Sequence, residues 1–373
     1  MTTTGTFAVI TGGGTAGHVL PALAVAEALE ERGHDAATLH YVGTERGIER
    51  ELLPPTPYPY TLFDVVGVQR RVDRRNLDFA PKLYRATRRA GVLLGRLQPR
   101  VVVSVGGYGS LPSVLAARRA RIPVVVVSFD RRPGRASAVA ARFAAACAVA
   151  YPGSALPRAE VTGAPVRRSI RAVDRATGRD DARVALGLPT DRFVVAVMGG
   201  SLGSGVLNEA VRGYVADRRD DNGLAVRHAV GARYAGDGPP VGWDDPDAVL
   251  YQPIGFEPRM DLLYAAADVL VGRGGAATVA EVAVTGTPAV LVPWSGAAED
   301  HQTANVAWLA DQDAAIALAE SDIDRLGPVL DGLRADVVRR QALGDRARAA
   351  GAVHRSDRIP HMIERVALAS NAS

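Results

Sequence analysis

The chain's 373 residues exceed what one core comfortably holds, and with 47% hydrophobic but only 5% aromatic residues the expectation is two domains cored by Ala, Val and Leu. No apolar stretch approaches the roughly 20 residues of a spanning helix, and the first five residues are too short and polar to start a secretory signal, so a cytoplasmic protein is expected. The net charge of +4 hides an asymmetry, residues 1–163 carrying +9 and the remainder −5. The single cysteine, Cys147, excludes an internal disulfide and a cysteine zinc cluster; among alanines it reads as a small buried apolar group.

In chain order, residues 7–10 read as a strand that residues 11–18 (Thr-Gly-Gly-Gly-Thr-Ala-Gly-His) turn into a helix carrying Leu20, Leu23, Ala24, Ala26 and Leu29. Such a turn aims backbone N–H groups at a ligand. Gly12, Gly14 and Gly17 formally satisfy the G-x-G-x-x-G dinucleotide spacing, but that reading also wants a carboxylate at the tip of the second strand, and residues 37–42 end in Gly43-Thr44. A dinucleotide site, a plain turn and a loop for another ligand all remain open. His18 favours a site: in a first helical turn, beside the positive dipole end, an imidazole stays neutral more easily and can accept a proton. The alternative is a histidine bonded to a nearby carbonyl.

Between Asp64 and Arg100 the basic residues Arg70, Arg71, Arg74, Arg75, Lys82, Arg85, Arg88, Arg89, Arg96 and Arg100 oppose only three acids and share the segment with Leu77, Phe79, Leu83, Tyr84 and Leu93. Basic and apolar side chains on one helix suit an anionic membrane surface. Arginines also neutralise nucleic-acid phosphates, and a solvated helix is the plainer reading in a chain whose only lysine is Lys82.

Residues 101–105 form a β-branched run closed by Gly106-Gly107-Tyr108-Gly109-Ser110, a helix follows over 112–120, and 124–129 is a buried strand leading to a polar turn and an alanine-rich helix. This β-α alternation predicts a parallel, doubly wound sheet. After Gly/Pro punctuation at 161–165 the pattern restarts: the strand 193–198 opens into a second glycine loop, 199–205, and later strands fall at 249–252, 269–271 and 289–292. Two doubly wound domains place a ligand cleft at the carboxyl ends of both sheets; a single large sheet is the competing arrangement.

The second half is denser in candidate chemistry. The run Arg273 to Glu281 puts a glycine turn at a helix start, where a phosphate can sit, with Glu281 one turn in, able to accept two bonds from vicinal hydroxyls. The run Glu299 to Asn305 begins another helix whose polar first turn can reach a sugar. Asp-x-Asp spacings at Asp245/Asp247, Asp311/Asp313 and Asp322/Asp324 read as turns and caps, so no metal is expected.

At these residues the sequence resembles the GT-B glycosyltransferases of the MurG type, which add N-acetylglucosamine to lipid I in peptidoglycan synthesis. The resemblance covers nearly the whole chain. It rests on Gly13-Gly14-Thr15-Ala16-Gly17-His18, on Gly106 to Ser110, on Gly163-Ala164-Pro165-Val166-Arg167, on Gly200-Ser201-Leu202-Gly203 with Asn208, and on Gly274 to Glu281 followed by Gln302 and Asn305.

The resemblance implies an α/β fold of two Rossmann-like domains facing across a cleft. It implies an acceptor- and membrane-facing domain over 1–163, a UDP-sugar domain over 164–340 and a helical segment, 341–373, packing back on the first domain. UDP-N-acetylglucosamine would meet Arg167 and Ser201 at its diphosphate, the backbone around Phe256 and Glu257 at the uracil, Gly275, Ala276, Ala277 and Thr278 at the helix start, Glu281 at the ribose, and Gln302 with His301 and Asn305 at the sugar. His301 stands where the family often has a glutamine. The lipid-diphosphate acceptor would meet Gly13, Gly14, Thr15, Ala16, Gly17, His18, Gly106, Gly107, Tyr108 and Ser110. Where the family commonly shows His-Glu-Gln-Asn after the fifth strand, this chain has Val127-Ser128-Phe129-Asp130. The reaction implied is an inverting transfer with His18 as first candidate base and Asp130 as second, no cofactor, and peripheral binding to the cytoplasmic face of the membrane rather than to nucleic acid. A UDP-N-acetylglucosamine 2-epimerase, a transferase with another acceptor and a noncatalytic sugar-nucleotide binder are the alternatives.

Overall fold

The computed structural model describes residues 5–65, 79–200, 202–236, 245, 247–296 and 300–369. Contacts divide the chain into a unit of Met1–Arg168 with Ser356–Ser373 and a unit of Ser169–Arg355. No helix among the described residues is long and apolar enough to cross a membrane.

The first unit is built on a seven-stranded parallel sheet: β1 (Ala8–Thr11), β2 (Leu39–Thr44), β3 (Tyr60–Phe63), β4 (Val101–Ser104), β5 (Val124–Ser128), β6 (Ala146–Val149) and β7 (Ala159–Val161) in the order β3-β2-β1-β4-β5-β6-β7. Valine runs such as 101–103 and 124–127 are buried on both faces, as parallel strands between helical layers require. The helices are α1 (Ala16–Glu31), a single turn α2 (Glu49–Leu52), α3 (Phe79–Leu97), α4 (Leu111–Ala120) and α5 (Arg135–Ala141). Ala86, Ala90 and Leu94 of α3 face the core at helical spacing, leaving Tyr84, Arg85, Arg88, Arg89, Val92 and Arg96 in water. Cys147 lies buried in β6, its thiol pushed up to about 11 by burial.

Chain order reverses between β1 and β4. The loops leaving their carboxyl ends therefore lie side by side, the place where an open α/β sheet binds its ligand.

After α6 (Arg168–Arg171) and α7 (Arg175–Leu186), the second unit repeats this plan with β8 (Phe193–Met198), β9 (Leu224–Ala229), β10 (Leu250–Ile254), β11 (Val269–Arg273), β12 (Ala289–Val292) and β13 (Ile316–Ala317) in the order β10-β9-β8-β11-β12-β13, all parallel. Its helices are α8 (Gly205–Ala216), α9 (Met260–Ala266), α10 (Ala276–Thr285), α11 (His301–Ala310), α12 (Leu326–Ala335) and α13 (Val337–Ala350). The reversal here lies between β8 and β11.

The segment expected to return as one piece, 341–373, divides instead. The backbone of α13 reaches α10 at Gly286 and Gly344 in the second unit, whereas α14 (Arg358–Ala369) lies in the first. There Glu364 holds Arg32 at 3.1 Å and His34 at 3.2 Å, at the end of α1. Arg168, the last residue of the first unit's main segment, is tied to the same helix end through Glu27 at 2.6 Å and Glu31 at 2.8 Å. The domain boundaries expected at 163/164 and 340/341 thus both precede the observed divisions.

One buried ion pair fastens α7 to the second sheet. The fully buried Arg183 donates to Asp268 Oδ2 at 2.7 Å and to the carbonyls of Ala266, Thr190 and Arg192, while the same Asp268 oxygen accepts the Val194 N–H at 2.8 Å. Removing one partner strands a buried charge. Asp268→Ala is expected to cost about 3–5 kcal/mol of unfolding free energy, measured as a lowered urea midpoint.

Candidate functional site

Each unit carries its own half-site at the point of strand reversal. In the first, Val105 N–H bonds Thr11 carbonyl at 2.8 Å, carrying the β1–β4 pairing into the loops. A Cβ at Gly107 would collide with the Gly13 carbonyl, and one at Gly14 would lie 2.6 Å from the Tyr108 ring. Both residues have positive φ, +75° and +97°, so only glycine lets the two loops interlock.

His18 sits over this junction. Thr15, the N-cap of α1, makes no side-chain bond to the helix; its Oγ1 instead pairs with His18 Nδ1 at 3.1 Å. The imidazole edge lies against Gly106, where an added Cβ would come within 3.2 Å of Cδ2. Burial pushes its pKa below the ordinary histidine value, while the charges of Asp130 and Glu49 pull it back up. With Nδ1 engaged by Thr15, Nε2 is the nitrogen left to exchange a proton. Asp130 follows the end of β5 and is half-buried, close enough for its charge to act on both His18 and Tyr151.

The remaining acceptor-side candidates differ in what they can reach. Gly13 is buried, whereas Thr15 and Gly17 are exposed at the helix start and Ala16 is intermediate. Ser110 is fully buried and its hydroxyl is committed to the Gly107 carbonyl at 2.9 Å, so it shapes the loop.

In the second unit Gly203, at φ +76°, lets the loop after β8 pack on the Val230 carbonyl and Gly231. Ser204 then caps α8 by accepting the Leu207 N–H at 3.3 Å. Ser201 lies outside the described residues. The matching helix α10 begins at Gly275 with no side-chain cap, so the first-turn N–H groups at Ala276, Ala277 and Thr278 keep the anion-attracting character of a bare helix start. Gly274 is pressed by α11, a Cβ there meeting the Gln302 carbonyl at 2.8 Å.

Glu281 lies on α10 with Oε2 accepting the Tyr264 hydroxyl at 2.8 Å. Gln302 Oε1 accepts the Trp294 N–H at 2.9 Å, which leaves the amide NH₂ as the end that can donate. His301 opens α11, partly buried beside it. Asn305 is fully buried and donates to the Gly274 carbonyl at 3.3 Å, so it braces the loop from behind. Phe256 is 50% exposed, whereas the Glu257 carboxylate is buried against Arg227 at 2.6 Å and holds the Arg259 N–H; only its backbone is open to a ligand role. Arg167 belongs to the first unit by its contacts, directly before the division.

Three residues absent from the sequence-based set shape these half-sites. Arg273, at the carboxyl end of β11, donates to Ser204 Oγ at 2.5 Å, to the Val292 carbonyl at 3.2 Å and to Glu320 at 2.6 Å, and Glu320 in turn holds Ser295. Burial raises the Glu320 carboxyl, but the bonds from Ser295 and Arg273 outweigh it and hold it below the usual range. Trp294 stands 48% exposed beside Gln302, and Glu49 lies beneath the first glycine loop. Arg273 was adjacent to a recognised glycine turn and Trp294 to a recognised strand; Glu49 carried no sequence signal. Among the described residues no group of three or more His, Cys, Asp or Glu side chains is arranged to hold a metal.

Asn208, a motif residue, is locked by His228 Nε2 at 3.0 Å while Nδ1 meets Tyr251 at 3.0 Å, and burial lowers the His228 pKa to about 4. His354 is likewise lowered to about 4 by burial. The unfolded chain takes up these protons near the ordinary value of 6.5 and the folded chain only near 4, so the stability they confer is complete above 6.5 and drains as pH falls towards 4. Urea midpoints should fall between pH 6.5 and 4.5, and His354→Gln should make that fall shallower.

Family models match in chain order: the glycosyltransferase family 28 N-terminal domain over residues 8–149 and the glycosyltransferase family 28 C-terminal domain over 194–357. A Nocardioides protein named UDP-N-acetylglucosamine–N-acetylmuramyl-(pentapeptide) pyrophosphoryl-undecaprenol N-acetylglucosamine transferase is 36% identical over 98% of this chain and 99% of its own. A Clavibacter michiganensis protein of the same name is 39% identical over 84% of this chain and 83% of its own. The crystal structure of Acinetobacter baumannii MurG superposes with a TM-score of 0.69 at 29% identity, covering 96% of this chain and 99% of that one. A Neisseria meningitidis UDP-GlcNAc 2-epimerase bound to UDP-GlcNAc gives 0.65 at 11% identity over 97% and 100%, a likeness of fold alone.

Proposed function

Because the chain belongs to glycosyltransferase family 28, we propose that it transfers N-acetylglucosamine from UDP-N-acetylglucosamine to the C4 hydroxyl of undecaprenyl-diphosphate-linked N-acetylmuramoyl-pentapeptide, converting lipid I to lipid II for peptidoglycan. The observation that carries this reading is 36% identity over 98% of the chain with a transferase named for that reaction.

The donor is assigned to the second unit and the acceptor to the first. The bare start of α10 draws the diphosphate, with Ser201 as a further contact. Glu281, oriented by the Tyr264 hydroxyl, accepts from the ribose, and Phe256 borders the uracil. The Gln302 amide donates to a sugar hydroxyl. The acceptor C4 oxygen attacks the anomeric carbon and gives its proton to His18 Nε2; the bond from that carbon to the diphosphate breaks with inversion, and UDP departs. Charge growing on the leaving diphosphate is met by the α10 N–H groups, and the imidazolium by Asp130 and Glu49. No step calls for a metal.

Incubation with UDP-N-acetylglucosamine, with and without a lipid I analogue, tests the reading. UDP release that requires the analogue supports it; epimerised sugar, or binding without turnover, overturns it. His18→Ala should lower the turnover rate by roughly 10²-fold, and turnover near that of the parent would move the base elsewhere.

Peripheral docking on the cytoplasmic face of the membrane is supported by α3, whose exposed Arg85, Arg88, Arg89 and Arg96 share a surface with Tyr84 and Val92. Arg70, Arg71, Arg74 and Arg75 lie outside the described residues. Changing the four arginines of α3 to glutamine should weaken binding to anionic vesicles by about 1 kcal/mol for each charge that lies near the surface, in a salt-dependent way. Partition indistinguishable from the parent's would contradict membrane docking by this helix.

A further inference from the structure

We propose that Glu49 is a positioning residue for the acceptor half-site, its buried carboxylate fixing the first glycine loop through the Gly14 amide and standing as a fixed negative charge behind His18. The proposal rests on the reading of this loop as the acceptor side.

Glu49 opens the single-turn helix α2 and is 0% exposed. Its Oε1 accepts two backbone N–H groups, Gly14 and Thr44, both at 3.0 Å, so one oxygen joins the loop after β1 to the end of β2. Its Oε2 is buried and makes no hydrogen bond. A carboxylate so enclosed gives up its hydration, and the chain clears space for it three times. An added Cβ at Gly13 would strike Oε1, one at Gly47 would strike Oε2, and one at Gly43 would lie 3.1 Å from Cγ. These glycines come from the loop after β1, from β2 itself and from the loop after β2.

Two consequences follow from the geometry. The Gly14 amide points inward at Glu49, so this glycine loop does not offer that N–H to a phosphate as a dinucleotide loop would. The bond also fixes the residue next to Thr15, whose hydroxyl orients the His18 ring. The charged and titratable groups acting around His18 are Asp130, from the loop after β5, and Glu49 itself, with Tyr108 and Tyr41 packed between loop and carboxylate; Tyr41 donates to the Gly12 carbonyl at 2.7 Å. Glu49 favours the protonated imidazole, the form created when the acceptor hydroxyl loses its proton.

The test is Glu49→Gln, which preserves the shape and the Oε1 acceptor but removes the charge. With both substrates saturating, kcat should fall at least tenfold, with the KM for UDP-N-acetylglucosamine within twofold of the parent's. The acid limb of the kcat profile and the ¹⁵N titration of His18 should both move to lower pH, a shift that a purely structural role would not produce. Glu49→Asp, which keeps the charge but shortens the reach, should restore the titration and not kcat. Parent-like kcat and His18 titration in Glu49→Gln would overturn the proposal. Should the variants fail to fold, the ¹³C-carboxyl signal of Glu49 in the unmodified protein must move as His18 titrates; a signal flat through that range also overturns it. These titrations read the His18 ring directly, so a catalytically silent His18→Ala would defeat the assignment of the base without deciding the role of Glu49.

Discussion

Close backbone approaches tie together loops that leave neighbouring parallel strands. Gly107 lies against the Gly13 carbonyl in the first unit, and Gly203 against the Val230 carbonyl and Gly231 in the second. A parallel sheet brings such loops together whatever their sequence, but only residues without Cβ let them close to van der Waals contact, and in the first unit that closeness sets the level at which His18 stands. The neighbouring side chains take their positions from it. Thr15, Tyr108 and Ser110 pack on or bond into the first junction, and Ser204, Asn208 and Arg273 into the second.

The two half-sites use one scaffold with opposite electrostatics. In the second unit α10 starts without a side-chain cap, leaving positive helix-end character directed outward. In the first, a carboxylate beneath the loop takes up the Gly14 amide, and α1 starts with a threonine turned towards a histidine. The second half-site therefore attracts negative charge, whereas the first sets the charges of Asp130 and Glu49 around a histidine. Glycine spacing, similar in both, does not distinguish them; the partner of the loop's N–H does.

That difference also marks what could be read from the sequence. Buried valine runs, glycine punctuation and restarting β-α units indicated two parallel, doubly wound sheets, because these signals are local and repeat. Which polar residues look inward is decided by contacts between distant segments. Asn305 and Ser110 belong to binding-loop motifs yet spend their side chains on the Gly274 and Gly107 carbonyls, and Glu257 is taken by Arg227. Glu49 was invisible for the same reason: the glycines that make room for it at 13, 43 and 47 look like ordinary turn residues until the fold places them around one carboxylate. The destinations of α13 and α14 likewise depend on contacts with distant segments, on Gly286 and Gly344 in one case and on Glu364 in the other.

The destination of α14 bears on the order in which the molecule is made. The second unit is one uninterrupted stretch, residues 169–355, whereas the first needs residues 356 onward to cover β4, β5 and β6 and to pair with the end of α1. On the ribosome the first unit's strands emerge earliest but wait for their last helix, which is made only after every residue of the second unit. The unit synthesised first is thus the one completed last, and until then the hydrophobic surface that α14 covers, lined by Ile359, Met362 and Ile363 once it docks, is open to chaperones.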